Sequence, residues 1–191
     1  MKILKSKINM AITAAIFISC ALIWQAVYPE SVEHDNRDMV VNGNAIANDI
    51  GVNAQNSGFS FANSQVVDYN DSKCDIYFEY DRKSNTWYLH NGRDLTDIQD
   101  AGYIEDLNYV SAAPNNGWFS YGYMEIASGH VYFIWTADDH YAALRISNIP
   151  DERNEGIEFD WRYQTIESCR WFIPVTDETG TCFINDEYEY F

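Results

Sequence analysis

The sequence predicts an all-β fold, either an antiparallel β-sandwich or a partly closed barrel with one short helix, preceded by a hydrophobic N-terminal helix and a flexible tether. Aromatic residues make up 16% of the 191 residues, and 14 of them are tyrosines, a composition that favours pleated, half-buried strands. From Gly58 onward, short apolar stretches alternate with turn residues. Residues 157–164 alternate strictly between apolar and polar side chains, which is typical of a strand with one buried and one solvated face.

The first 28 residues form a separate segment, predicted to be a signal peptide or membrane anchor. Three lysines precede residues 8–27, which carry no charge, and this is the layout of a secretory signal. Three alternatives stay open: cleavage after Ala21, retention as an anchor, since about 20 apolar residues can span a bilayer, or lipidation at Cys20. Each one places the remainder outside the cytoplasm, in the periplasm, at the cell surface or in the medium, because the lysines stay inside.

Residues 29–57 are predicted to be a flexible linker. They are rich in asparagine and hold few large apolar side chains, so they bury too little surface to offset the entropy of ordering. Residues 58–191 then form one all-β domain, in keeping with the chain length.

The clearest predicted hairpin pairs residues 131–136 with residues 141–149 across an acidic four-residue loop. Successive side chains of a strand point to opposite faces. We therefore expect Leu144 and Ile146 to face the core and Arg145 to face solvent.

Other elements follow from the same kinds of pattern. Leu95, Ile98 and Ala101 recur at three-residue steps, which predicts a short helix over residues 94–102. The remaining strands are predicted over residues 59–61, 66–69, 76–80, 86–89, 104–110 and 118–126.

The chain after residue 28 is strongly acidic. Without the three lysines of the N-terminal segment, 29 acidic residues stand against 9 basic ones, a net charge of −20. Such a surface repels nucleic acid and anionic lipid headgroups, so nucleic-acid binding is excluded and the membrane is contacted only through the N-terminal segment. The charge favours a soluble, monomeric protein, and loose binding of divalent cations is the alternative interpretation.

Two stretches carry a resemblance to a known type of protein. One begins at Asp75-Ile-Tyr-Phe-Glu-Tyr and leads to Trp87-Tyr-Leu. The other runs from Gly129-His-Val-Tyr-Phe-Ile-Trp-Thr-Ala-Asp-Asp-His to Ile157-Glu-Phe-Asp-Trp-Arg-Tyr-Gln. Over residues 58–164 the chain resembles an exported bacterial β-domain found in lipoproteins and secreted proteins, and is distantly similar to HmuY-like haem-binding lipoproteins.

That resemblance implies haem held by histidine side chains, but the chain departs from the pattern. Asp139 stands where glycine is usual and Ala143 where lysine is usual, and no histidine lies in a motif that can be carried over. Neutral imidazole can bind haem iron or a transition metal, yet no two histidines have the spacing of a metal motif. We therefore expect no cofactor and no metal ligand among His34, His90, His130 and His140. If haem did bind, His90 would have to be one ligand, because His130 and His140 flank one hairpin at opposite ends.

The sequence contains no nucleophile elbow, phosphate-binding loop or zinc-protease motif. No catalytic residue is therefore assigned, and the expected function is that of a binding or structural module rather than an enzyme. Two alternatives stay open: a haem- or metal-binding protein, and a carbohydrate-binding or carbohydrate-active protein that uses paired carboxylates or exposed aromatic rings.

The cysteines predict one disulfide. Cys20 lies in the N-terminal segment, and a turn at residues 177–180 would bring Cys169 and Cys182 together. In an oxidising compartment such a pair forms a disulfide. Cys74 is then a buried free thiol, with pairing of Cys74 to Cys169 or Cys182 as the alternative.

Overall fold

The computed structural model describes residues 39–119 and 122–172, and this part of the chain is an antiparallel β-sandwich. Ten strands form two five-stranded sheets, and the only helices in the described residues are two short 3₁₀ turns, Ala54–Asn56 and Leu107–Tyr109. The all-β prediction is therefore confirmed, and the two sheets do not close into a barrel. The strands are Val40–Ala47 (β1), Gly58–Ser60 (β2), Gln65–Val67 (β3), Ile76–Asp81 (β4), Thr86–Asn91 (β5), Asp97–Tyr103 (β6), Tyr123–Glu125 (β7), His130–Trp135 (β8), Tyr141–Asn148 (β9) and Ile157–Gln164 (β10).

The first sheet has the order β1-β10-β9-β8-β6, and the second has the order β3-β2-β4-β5-β7. Neighbouring strands within each sheet are antiparallel throughout. Side chains from the inner faces of both sheets form the main core. Phe159 of the first sheet contacts Phe59 and Phe78 of the second, with ring centroids 5.3 and 5.5 Å apart.

A second apolar cluster lies on the opposite face of the first sheet. Val131, Phe133 and Ala143 pack there beneath Leu107 of the second 3₁₀ turn and beneath Phe172. Both faces of β8 and β9 are therefore covered, which explains their nearly continuous apolar sequence.

The hairpin predicted over residues 131–149 is confirmed, with β8 and β9 paired antiparallel. Leu144 and Ile146 are fully buried in the main core. Arg145 points to the opposite face, where it is half-buried: its Nε donates to the carbonyl of Ile104 at 2.9 Å and its Nη1 lies 3.8 Å from Asp160.

The helix predicted over residues 94–102 is wrong, because this segment forms β6. Residues 97–100 pair with β8 in regular register. Of the three apolar residues that suggested a helix, only Ile98 is buried. Leu95 is 84% exposed in the preceding loop with φ of 71°, and a three-residue spacing therefore did not correspond to one buried face.

The linker predicted for residues 29–57 is corrected in its described part. Residues 40–47 form β1, which pairs with β10 along its whole length. Val41, Ala45 and Ala47 direct their side chains toward the main core, so small alternating residues supply enough burial once a neighbouring strand provides the hydrogen bonds. Residues 29–38, like the predicted N-terminal helix, lie outside the described residues.

The strands predicted over residues 104–110 and 118–126 are also largely wrong. The first segment contains the 3₁₀ turn Leu107–Tyr109, started by the Asp106 carboxylate, which accepts from the backbone of Asn108 at 2.8 Å. The second contributes only the three residues of β7. Among the described residues, no helix is long and apolar enough to cross a membrane.

Candidate binding surface

The outer face of the second sheet carries a row of rings that runs across three strands. Tyr77 of β4 lies directly opposite His90 of β5, and His90 lies directly opposite Tyr123 of β7. The Tyr77 and His90 rings stack with centroids 4.6 Å apart and planes 13° apart. The His90 and Tyr123 rings stack with centroids 5.2 Å apart and planes 28° apart.

These ring distances equal the spacing between neighbouring strands, which is about 4.8 Å. The three rings therefore stand upright on the sheet, side by side, and present their edges to solvent. Tyr69 extends the row beyond Tyr77, with centroids 5.6 Å apart. Tyr123 lies on the edge strand and is 57% exposed, so one of its ring faces is open.

A second row lies beside the first. Glu79, Tyr88 and Glu125 are in register across β4, β5 and β7. The Tyr88 ring meets Tyr123 edge-on, with centroids 5.6 Å apart and planes 87° apart, and thereby joins the two rows. We call these six residues, Tyr77, Glu79, Tyr88, His90, Tyr123 and Glu125, the aromatic–carboxylate face.

His90 is the most enclosed member of this face. Its side chain is 14% exposed, and its Nε2 lies 3.0 Å from a carboxylate oxygen of Glu79. Burial lowers the pKa of His90 to about 4, because a charged imidazolium is costly to desolvate. The ring is therefore neutral near pH 7. Burial also raises the pKa of Tyr77, and the nearby Glu79 charge adds to that increase.

A cluster of charged residues links the two sheets at one end of β4 and β5. Asp75 precedes β4 and is almost fully buried; its carboxylate accepts from the backbone of Phe61 at 2.9 Å and from the Arg93 guanidinium. The same guanidinium lies 3.4 Å from Asp138, in the β8–β9 loop of the first sheet. Burial raises the pKa of Asp75, and Arg93 partly offsets this. Both carboxylate oxygens of Asp75 are thus occupied, which indicates a structural role.

Asp49 and Arg153 form a second buried ion pair. Asp49 is completely buried, and its carboxylate also accepts from the backbone of Tyr80 at 3.0 Å and of Gly51 at 3.2 Å. The ion pair attaches the segment after β1 to the loop between β9 and β10, and the bond from Tyr80 attaches it to β4. The buried carboxylates Asp49 and Asp75 therefore serve the fold.

The three described histidines, His90, His130 and His140, do not meet at one site. His90 is packed between Tyr77 and Tyr123, so coordination of a metal by its Nε2 would require Glu79 to move. His130 lies at the start of β8, with Nδ1 3.1 Å from both carboxylate oxygens of Asp100.

His140 lies at the other end of the β8–β9 hairpin, with its ring stacked on Tyr163 at 5.5 Å. His34 lies outside the described residues. No group of three or more histidine, cysteine or acidic side chains within the described chain is placed to hold a metal ion.

Cys74 is a free, fully buried thiol, so the alternative pairings of Cys74 with Cys169 or Cys182 are wrong. Its Sγ donates to the carbonyl of Ile76 at 3.1 Å, and burial raises its pKa to about 12. Cys169 is buried as well, whereas Cys182 lies outside the described residues. The Cys169–Cys182 disulfide therefore stays a prediction.

No protein-family model matches the chain, and a search of curated proteins finds no match either.

The aromatic–carboxylate face was not predicted from the sequence, although part of the signal was present. Alternation in β4 places Tyr77 and Glu79 on the face away from Ile76 and Phe78, and alternation in β5 places Tyr88 and His90 outward. The outward rings of these two strands could therefore have been predicted. The contribution of Tyr123 could not, because β7 is three residues long and its register with β5 is set by the fold.

Proposed function

We propose that this protein is an extracytoplasmic, non-catalytic binding module that engages a basic protein partner through its aromatic–carboxylate face. The observation that carries the proposal is the registered pair of rows, Tyr77–His90–Tyr123 and Glu79–Tyr88–Glu125, on the side of the second sheet that faces away from the core. Tyrosines are enriched in protein interfaces because they add contact area at low entropic cost and carry a hydroxyl group.

Charge favours a basic partner. Within the three described strands β4, β5 and β7, no outward-facing position holds a lysine or arginine. Glu79 and Glu125 are separated by two strand spacings, about 10 Å. Lysine or arginine stems can lie across the ring edges while their charged ends reach these carboxylates, and the domain's excess negative charge would speed the encounter.

The ring orientation argues against a glycan on this face. A sugar stacks on the flat face of an aromatic ring, but the Tyr77 and His90 faces are packed against each other. The exposed parts of Tyr77 and His90 are therefore ring edges and the Tyr77 hydroxyl group, which suit hydrogen bonds to a protein surface. Of the three rings in this row, Tyr123 at the sheet edge alone keeps an open face.

The compartment in the proposal comes from the N-terminal sequence, where a charge-free apolar run follows three lysines. The absence of catalysis is proposed because the sequence carries no catalytic motif, while the buried carboxylates Asp49 and Asp75 are occupied by Arg153 and Arg93.

The test measures binding of a fluorescein-labelled peptide of four Lys-Ser-Ser repeats to the full chain by fluorescence anisotropy. We expect the double variant Glu79→Gln and Glu125→Gln to weaken binding about tenfold, since two partly exposed ion pairs contribute about 0.5–1 kcal/mol each. The control variant, Glu152→Gln with Glu155→Gln, removes the same charge from an exposed loop and should change binding less than about twofold.

Equal losses in the two variants would mean that the peptide senses only the net charge, and the proposed surface would be wrong. Tyr88→Ala adds a second criterion, because it removes contact area without altering charge. It should weaken peptide binding while leaving the salt dependence of binding as it is in the wild type.

A further inference from the structure

The outer face of the first sheet contains a polar groove with a volume of about 270 Å³. Its walls come from neighbouring strands β1 and β10 and from the 3₁₀ turn Leu107–Tyr109. The lining residues are Asn42, Gly43, Asn44, Leu107, Asp160, Trp161 and Arg162.

The strand register explains how the groove forms. Asn42 lies opposite Arg162, and Asn44 lies opposite Asp160, so two cross-strand polar pairs project outward along the groove. Gly43 lies between the two asparagines and pairs with Trp161, whose indole packs closely on it: the nearest ring atom would lie 3.0 Å from a Cβ at Gly43. This close packing keeps the two strands together below the polar pairs.

The charged walls of the groove are held in place by residues beyond it. Arg162 donates from Nη2 to the side-chain oxygen of Asn108, in the 3₁₀ turn. Asp160 lies 3.8 Å from Arg145, which is itself bonded to the carbonyl of Ile104. Groups restrained in this way lose little freedom when a ligand binds.

We propose that this groove binds a neutral polyhydroxylated ligand, a single sugar residue or the end of a glycan chain. Asparagine amides, a carboxylate and a guanidinium together offer both hydrogen-bond donors and acceptors, which alternating hydroxyl groups satisfy. A free anion would meet Asp160 as well as the net negative charge of the protein, and a free cation would meet Arg162.

Two further features agree with a small sugar. The groove is slightly smaller than the about 300–1,000 Å³ of drug-sized pockets. Tyr109 belongs to the same 3₁₀ turn as Leu107 and is 73% exposed. Tyr109 directly follows Asn108, which Arg162 holds, and an exposed tyrosine ring is a side chain on which a sugar can stack.

This inference is independent of the proposed protein-binding face, because the groove lies on the other sheet. The probes are glucose, galactose, N-acetylglucosamine, xylose and their tetrasaccharides, tested on the full chain by saturation-transfer NMR and titration. We expect at least one probe to bind, and the variant Asn42→Ala with Asn44→Ala to weaken that binding about tenfold, since two hydrogen bonds are removed.

The matched control is Asn115→Ala with Asn116→Ala, two exposed asparagines in the loop that precedes Trp118. It should bind the same probe within about twofold of wild type. If the groove variant fails to fold, as judged by circular dichroism, Asp160→Asn provides the same test, because this lining residue is solvent-accessible.

The proposal is overturned if no probe binds, if binding survives in all the groove variants, or if glucuronate or glucosamine binds more tightly than the neutral sugars. Loss of sugar binding in the groove variants with unchanged binding of the lysine peptide supports it.

Discussion

Replacing Arg93 with methionine tests whether the charge cluster between the sheets is structural. Methionine keeps an unbranched apolar stem but removes the guanidinium from Asp75, whose side chain is only 2% exposed. Removing one partner of a fully buried ion pair costs about 3–5 kcal/mol. Since the Arg93 side chain is itself 25% exposed, water can partly replace it, and we expect a loss of about 2–4 kcal/mol at pH 7.

The effect should depend on pH in a defined direction. Burial already raises the pKa of Asp75 above its ordinary value of 3.8, and loss of Arg93 would raise it further. A carboxyl group whose pKa is raised in the folded state makes its full contribution to the free energy of unfolding below the unfolded-state pKa. That contribution is lost as pH rises through the folded-state pKa. The loss of unfolding free energy caused by Arg93→Met should therefore be small near pH 4 and largest above the raised pKa of Asp75.

Urea denaturation at pH 4 and pH 7 measures both the stability loss at pH 7 and its dependence on pH. With a slope of about 2 kcal/mol per molar urea, the midpoint at pH 7 should fall by about 1–2 M. The double variant Asp75→Asn with Arg93→Met should be more stable than Arg93→Met alone, because no charge is then buried without a partner. Arg82→Met, in the exposed β4–β5 turn, is the control. A deficit below about 1 kcal/mol at pH 7, or one equal at both pH values, would refute the structural role of the pair.

Three further predictions concern a core side chain, a buried histidine and the expected disulfide. Leu144→Ala should lower the free energy of unfolding by about 2–5 kcal/mol, because it empties a fully buried position, whereas Val52→Ala at an exposed position should change it by less than about 1 kcal/mol in the same urea titration. Because burial lowers the pKa of His90 to about 4 from 6.5, the folded protein should lose stability as pH falls from 6.5 toward 4, by at most about 3 kcal/mol. His90→Gln should remove this slope, and an unchanged slope would show that other groups cause it. Non-reducing peptide mapping of exported protein should recover Cys169 linked to Cys182, worth about 2–4 kcal/mol, and free thiols at both positions would contradict the disulfide.

Local sequence pattern was sufficient to predict a strand where every second residue is apolar and buried on one face. In β10, Ile157, Phe159, Trp161 and Tyr163 alternate with polar residues, and all four lie in the main core. The β8–β9 hairpin was predictable for the same reason, since both strands and their short loop are contiguous in sequence. The aromatic–carboxylate face was predictable only in part, because its strands lie within residues 76–125 and β7 is not adjacent to β5 in sequence.

The sequence by itself determined the fold class, the β8–β9 hairpin and the acidic character of the protein. Each of these depends on neighbouring residues or on composition. Only the tertiary structure decided that residues 40–47 form a strand and residues 97–103 do not form a helix. In both segments the backbone hydrogen bonds come from partners far along the chain, β10 for β1 and β8 for β6, and the free energy of that pairing outweighs weak local preference. The aromatic–carboxylate face and the groove likewise depend on register between distant strands, which no local pattern specifies.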